Sequence, residues 1–263
     1  MTTLRSRDNP RIRRWRALAH DGRSRVAEGC ALLEGAHLLS AYLERGGRPR
    51  AVLVSDSGRA KAEIALLVRR AGVAPVQVPD ALLRWIGDAA TPGGVAAEIR
   101  LPSPDAAGTA PRHAVFLDGV QDAGNVGAIL RSAAAFGVEA AYLGEGCADA
   151  WSPKVLRAAM GGHFALRVQP VPDLVAALRG FAGTLACADA RGGEAPSRLE
   201  LRGPIGWIFG AEGRGVSTAA AACATLRVRI PLAGAVESLN VAAAAAVLLY
   251  ERWRQLNTPA ARS

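Results

Sequence analysis

From residue 113 onward the chain repeatedly alternates a short apolar run with a helical one, and this alternation restricts its fold more than any other feature. The apolar runs are HAVFLDG, EAAYLG, FALRVQP, TLACADA, PIGWIFG and LRVRIPL. The last helical run spans roughly Ser238 to Gln255. Parallel strands need a crossover between neighbours, so apolar strands separated by helices predict a parallel sheet covered on both faces. The first hundred residues alternate less regularly, through CALLEGAHLLSAYLERG, AVLVS, KAEIALLVRRAG and APVQVP. They predict a smaller α/β domain. Between the two lies LPSPDAAGTAPR, with three prolines, one glycine and no periodicity. The expected organisation is therefore a domain over 1–100, a linker over 101–112 and a parallel-sheet domain over 113–263.

Charge narrows the partner. The net charge is +9 with a pI near 10.4, and basic domains of this size commonly bind polyanions, nucleic acid first. Lys61 and Lys154 are the only lysines, and eight arginines fall within the first 25 residues. Asn9-Pro10 reads as a helix start, after which Ile12, Trp15 and Leu18 recur at threefold spacing. Two readings of this segment stay open: a solvated helix docked by its apolar stripe, or a basic arm lying on RNA phosphates. The four cysteines are far apart, with no Cys-x-x-Cys and no His/Cys cluster of zinc spacing. They read as buried thiols of a reducing cytoplasm, and no metal is expected. The longest apolar run, Val241 to Tyr250, is too short to span a bilayer, and the arginine-rich start lacks the apolar core of a signal peptide.

The loops after the strands carry the chemistry. DGVQDAGNVGAILRSAAAFGV, residues 118–138, leads from a strand end into an alanine-rich helix with one arginine, Arg131. In an open parallel sheet the carboxyl edge of the strands is where ligands bind. Asn125 reads as the cap of that helix, and Val126, Ile129, Leu130 and Ala133 share its apolar face. Arg131 points the other way, and its helical neighbours are Gly127, Ala128, Ala134 and Ala135. An ordinary solvent face carries several charges; this one is cleared of bulk around a single guanidinium. Two further loops, IFGAEGRGVS (208–217) and IPLAGAVESLNVAAAAAV (230–247), also place small and polar residues where a strand ends. Ser238 there serves either as a helix cap or as a substrate contact. A Walker phosphate loop, a dinucleotide-binding glycine fingerprint and a Gly-x-Ser-x-Gly elbow are all missing from the sequence.

Taken together, these three loops resemble, in order, the three motifs of the TrmH/SpoU RNA 2′-O-methyltransferases of the SPOUT superfamily. SPKVLRAAMGGHFALRV is similar to that family's stretch between the first two motifs. LLEGAHLLSAYLERG and GGVAAEI resemble the ribosomal-protein-like substrate-binding domain that often precedes it. The resemblance implies a C-terminal SPOUT domain with a deep trefoil knot, which pattern reading alone would not propose because threaded chains are rare. It implies S-adenosylmethionine as methyl donor and a homodimer. It places Gly210, Ile230, Leu232 and Leu239 at the cofactor, and Asn125, Arg131, Glu212, Ser238 and Asn240 at the substrate. The second motif commonly has Asn or Ser where this chain has Ala211.

The implied activity is methylation of a ribose 2′-hydroxyl, the group that distinguishes RNA from DNA. The extra N-terminal domain points to ribosomal RNA ahead of transfer RNA, and the protein is expected to be cytoplasmic, with neither DNA nor membrane as partner. Models of the family make the first-motif arginine the general base. An arginine with a pKa above about 12 is a reluctant base. Arg131 is instead expected to clamp phosphate and 2′-oxygen and stabilise charge developing there. The alternative is a non-catalytic RNA-binding or ribosome-assembly protein that retains the fold, distinguishable by whether the cofactor binds.

Overall fold

The computed structural model describes residues 2–102, 109–189, 192–234 and 236–258; of the expected linker, 103–108 lie outside the described residues. Strands and helices, numbered in chain order, begin with β1 (Thr2–Thr3), α1 (Pro10–His20), α2 (Gly22–Glu28), β2 (Cys30–Glu34), α3 (Ala36–Glu44) and β3 (Ala51–Ser55). There follow α4 (Asp56–Arg59), α5 (Ala62–Ala71), β4 (Val76–Val78), α6 (Asp80–Ile86) and β5 (Val95–Arg100). The C-terminal part contains β6 (His113–Asp118), α7 (Ala123–Ala135), β7 (Ala140–Leu143), α8 (Pro153–Ala159), β8 (Arg167–Pro170), α9 (Leu174–Arg179) and β9 (Thr184–Ala188). It closes with β10 (Ile205–Gly210), α10 (Thr218–Ala221), β11 (Leu226–Val228) and α11 (Val241–Asn257). Two compact units result: 1–106 with 151–164, and 107–150 with 165–263.

The first unit holds a five-stranded sheet in the order β1-β4-β3-β5-β2. Its β1/β4 and β3/β4 pairs are parallel, and β5 runs antiparallel to β2 and β3. Asn9 caps α1 through Arg11 N–H and Pro10 takes the first helical position, where its missing N–H costs nothing. Ile12, Trp15 and Leu18 are all buried against Leu32, Leu53, Val78 and Ile86, each such side chain contributing about 1.5–3 kcal/mol.

The apolar stripe of the basic segment is therefore docked into the core, while Arg11 and Arg13 on the same helix stay exposed. Several of its arginines have internal partners. Arg14 forks onto Glu98 at 2.8 and 2.9 Å, and Arg25 is buried, donating to the Leu18 carbonyl at 2.6 Å. The Trp15 indole N–H also donates to Glu98, at 2.8 Å, so the buried carboxylate is compensated by charge and by hydrogen bonds. Segment 151–164 packs into this unit although it interrupts the second in sequence. Arg157 on α8 pairs with Asp88 at 2.6 Å and Glu34 at 3.6 Å, and Phe164 sets its ring edge-on to Tyr42 at 5.1 Å.

In the second unit all six apolar runs become strands of one wholly parallel sheet, ordered β11-β9-β10-β6-β7-β8. Alternation along the strands divides the core. Ala114, Phe116 and Ile208 face α9 and α10, with Phe116 stacked on Tyr142 at 4.9 Å. Val115, Leu117, Trp207 and Phe209 are also buried, and α11 packs on α7 and β10. Both faces are covered, as continuous apolar strands require.

Candidate active site

The register of the sheet places two of the three glycine-rich loops side by side. β10 pairs with β6 so that Gly210 lies opposite Asp118, and both loops start at those two residues. The third loop follows β11 and runs into α11.

The first loop turns into α7, and its cap is Asp122, whose carboxylate accepts from Asn125 N–H at 2.9 Å. This corrects the expectation that Asn125 caps the helix. Asn125 sits one turn inside, which frees its side chain to point out of the first turn. The second loop turns back tightly over the end of β10. Gly215 N–H donates to Ala211 O at 2.8 Å, and a Cβ on Gly210 would meet the Gly215 carbonyl carbon at 2.1 Å. Only glycine fits there. Asp118 then holds the far end of this loop, accepting from Ser217 N–H at 2.7 Å. The sequence shows both Asp118 and Asp122 among the glycines of the first motif but assigns neither a role.

The side chains of the three loops converge. Asn125 Nδ2 donates to Glu212 Oε1 at 2.7 Å. Asn240 Nδ2 donates to the same oxygen at 2.8 Å and to Asn125 Oδ1 at 3.0 Å. Asn240 is also the cap of α11, its Oδ1 accepting from Ala242 and Ala243 N–H at 3.0 and 3.2 Å. Glu212 thus serves as a shared acceptor, and the helix cap fixes one of its two donors. Capping by Asn240 relieves Ser238 of that role. Ser238 is exposed two residues earlier, with no hydrogen bond among the described residues. Arg131 lies on the exposed face of α7, and its side chain makes no hydrogen bond or ion pair among the described residues. It stands six residues beyond Asn125 in sequence, about 9 Å along the helix axis. The sheet edge therefore brings Asn125, Glu212 and Asn240 into contact and leaves Arg131 and Ser238 free to meet a ligand.

The residues expected at the cofactor are Gly210 at the end of β10, half-buried Ile230 just beyond β11, and Leu232 and Leu239, which are 36% and 38% exposed. Val236, between them in sequence, is 58% exposed. Large apolar side chains standing in water on one short loop mark a surface that something covers. With glycine backbone at the neighbouring strand end, they suit a cofactor held by main-chain groups and an apolar clasp. The loop after β7 also reaches the edge, since Ala148 N–H donates to Val120 O at 2.9 Å. Its sequence LGEGCADAW offered the same glycine signal as the other loops. Among the described residues no cluster of His, Cys, Asp or Glu is able to hold a metal ion, and no helix is long and apolar enough to cross a membrane.

Comparison with known proteins gives a consistent result. The model of the SpoU rRNA methylase family matches residues 112–250, and that of the MRM3-like substrate binding domain matches 9–97. The chain is 32% identical to the 23S rRNA (guanosine(2553)-2′-O)-methyltransferase RlmP of Bacillus subtilis, over 95% of this chain and 98% of that one. It is 30% identical to the 23S rRNA (uridine(2479)-2′-O)-methyltransferase of Streptomyces viridochromogenes, over 94% and 90%. Among solved structures, the SpoU methyltransferase AviRb from Streptomyces viridochromogenes in complex with AdoMet superposes with a TM-score of 0.82 at 30% identity, covering 94% of this chain and 98% of that one.

Proposed function

The chain belongs to the SpoU rRNA methylase family, whose members transfer a methyl group from S-adenosylmethionine to a ribose 2′-oxygen of rRNA, and from that premise we propose its substrate and the roles of its residues. The substrate is ribosomal RNA of the large subunit. Two full-length relatives act on 23S rRNA, one at a guanosine and one at a uridine, so the base is a property of each protein rather than of the family. The first unit binds this RNA and the second methylates it, in the cytoplasm.

The observation that carries the reading is the hydrogen-bonded node of Asn125, Glu212 and Asn240, which links side chains of three separate loops at one sheet edge. Bound S-adenosylmethionine supplies an electrophilic methyl group on a sulfonium. What remains for the protein is to hold one ribose oxygen in line with it. Gly210, Ile230, Leu232 and Leu239 hold the cofactor. In our reading, the threading of this loop region makes the trefoil knot typical of the fold. Arg131, unpaired on the exposed face of α7, binds the phosphate and 2′-oxygen, where its planar fork stabilises charge developing on that oxygen. Ser238, free of capping duty, hydrogen-bonds the same phosphate. The proton leaves the 2′-hydroxyl late, to water.

The functional unit is a homodimer built on α11. Val247, Tyr250, Trp253 and Leu256 recur every three residues on that helix and are 40–48% exposed. Tyr250 stacks on Trp253 at 6.2 Å, and Phe136 from the end of α7 meets Tyr250 at 5.8 Å. A stripe of this kind on one helix is of the size and composition that a second copy buries.

The test is a map of 2′-O-methylation across ribosomal and transfer RNA in a deletion strain and its parent, with complementation by the wild type and by Arg131→Ala. One 23S rRNA site should vanish, and only the wild type should restore it. A tRNA site lost in its place would overturn the substrate, and restoration by Arg131→Ala would overturn the role of the arginine.

A further inference from the structure

We propose that the first unit carries a pocket for one unstacked, amino-bearing nucleotide of the RNA, between α5 and the β3–β4 side of its sheet. The proposal rests on the reading that this protein acts on RNA. A cavity of about 190 Å³ lies there, walled by Val54, Ile64, Ala65, Val68 and Pro75, with Arg59 and Gln77 as its polar groups. An apolar cavity of about 150 Å³ accepts a benzene ring, so this one has room for a planar heterocycle. The gap arises from small side chains. α5 buries Ile64, Leu67 and Ala71, but Ala65 and Val68 are too short to fill the space above the sheet.

The two polar groups define the ligand. Gln77 stands between buried Val76 and Val78 on β4, and its amide Nε2 donates to Asp56 Oδ1 at 2.8 Å. A carboxylate takes only donors, so the Gln77 amide orientation is determined, and its carbonyl oxygen is left to accept. That oxygen matches the exocyclic amine of cytosine, adenine or guanine, and uracil has none. Arg59 is exposed, and its side chain makes no ion pair or hydrogen bond among the described residues. An unpaired guanidinium beside an apolar slot is complementary to the phosphate of a nucleotide whose base is splayed out, the form in which RNA bases are read. The +9 net charge favours such a partner over a neutral or cationic one.

The experiment measures binding of a cytidine hexanucleotide, a uridine hexanucleotide and free cytidine monophosphate to the full-length protein across a salt series, with S-adenosylmethionine binding as a control. The cytidine hexamer should bind about fivefold more tightly than the uridine hexamer, the value of one neutral hydrogen bond, and Gln77→Leu should erase that difference. Ala65→Phe, which fills the cavity without changing charge, should weaken cytidine hexamer binding about tenfold and leave the salt slope intact. Arg59→Ala should lower the slope by about 0.7. If Ala65→Phe fails to fold, Ala65→Leu is read the same way. Wild-type hexamer binding in the folded filling variant would overturn the pocket. So would free cytidine monophosphate binding as tightly as the hexamer, which would assign the cavity to a free nucleotide. Failure here with intact methylation leaves the proposed activity standing, whereas loss of the activity itself appears in the methylation map.

Discussion

Replacing Glu212 separates a geometric role from a chemical one. Its Oε1 accepts two amide hydrogen bonds, at 2.7 Å from Asn125 and 2.8 Å from Asn240. Each such bond contributes about 1 kcal/mol net in a partly solvated place. Glu212→Ala removes both and lets two loops drift apart at the sheet edge. If that 2 kcal/mol appears wholly in the transition state, kcat/KM falls about 30-fold. Glu212→Gln keeps a carbonyl oxygen in the same position and loses only the charge that strengthens the bonds. Half the energy is then retained, and the loss is about fivefold. Steady-state methylation of the mapped RNA site, with the KM for S-adenosylmethionine determined separately, gives the comparison. A glutamine variant as slow as the alanine variant would refute the argument, because it would show that the carboxylate acts through its charge or takes the proton itself.

Four further outcomes are expected. Arg131→Lys retains a cation but not a planar fork, so methylation should fall at least tenfold with cofactor affinity unchanged in calorimetry; near-normal turnover would remove the clamp. Gly210→Ala drives a methyl group into the Gly215 backbone at 2.1 Å, so cofactor binding should be lost while the circular dichroism of the folded protein persists. For Glu98, burial pushes the carboxyl up, but the hydrogen bonds from Arg14 and Trp15, with the nearby Arg50, outweigh it and hold the group below the usual carboxylate range. Its contribution is therefore complete above the unfolded value of about 4.3 and is lost as pH falls through the lower folded value. Glu98→Gln should cost about 3 kcal/mol in urea unfolding at pH 7, and the gap should close in acid. Finally, Tyr250→Asp with Trp253→Asp should convert a dimer to a monomer in sedimentation, and a monomeric wild type would reject α11 as the interface.

The legible part of this protein was local. Short apolar runs between helical runs specified the parallel sheet of the second unit, because period-two and period-3.6 patterns are set by each segment's own backbone geometry. The Ile12, Trp15 and Leu18 stripe specified a buried face for α1. The three glycine-rich loops, and the resemblance they carried, named Asn125, Glu212 and Asn240 together.

What the tertiary structure decided depends on contacts between residues far apart. Asn125 and Asn240 are 115 positions apart, and both reach Glu212 because β10 lies beside β6 in a sheet whose order does not follow the chain. Asp122 caps α7, and Asn125, one turn inside, instead meets a carboxylate 87 positions away. Capping of α11 by Asn240 in place of Ser238 leaves the serine side chain free. The many arginines were indistinguishable in sequence. Only packing separated buried Arg25 and paired Arg14 from the unpaired Arg131 and Arg59. Periodicity reports which face of an element is apolar, but the partner of a polar side chain is set by whichever segment the sheet order brings within about 3 Å.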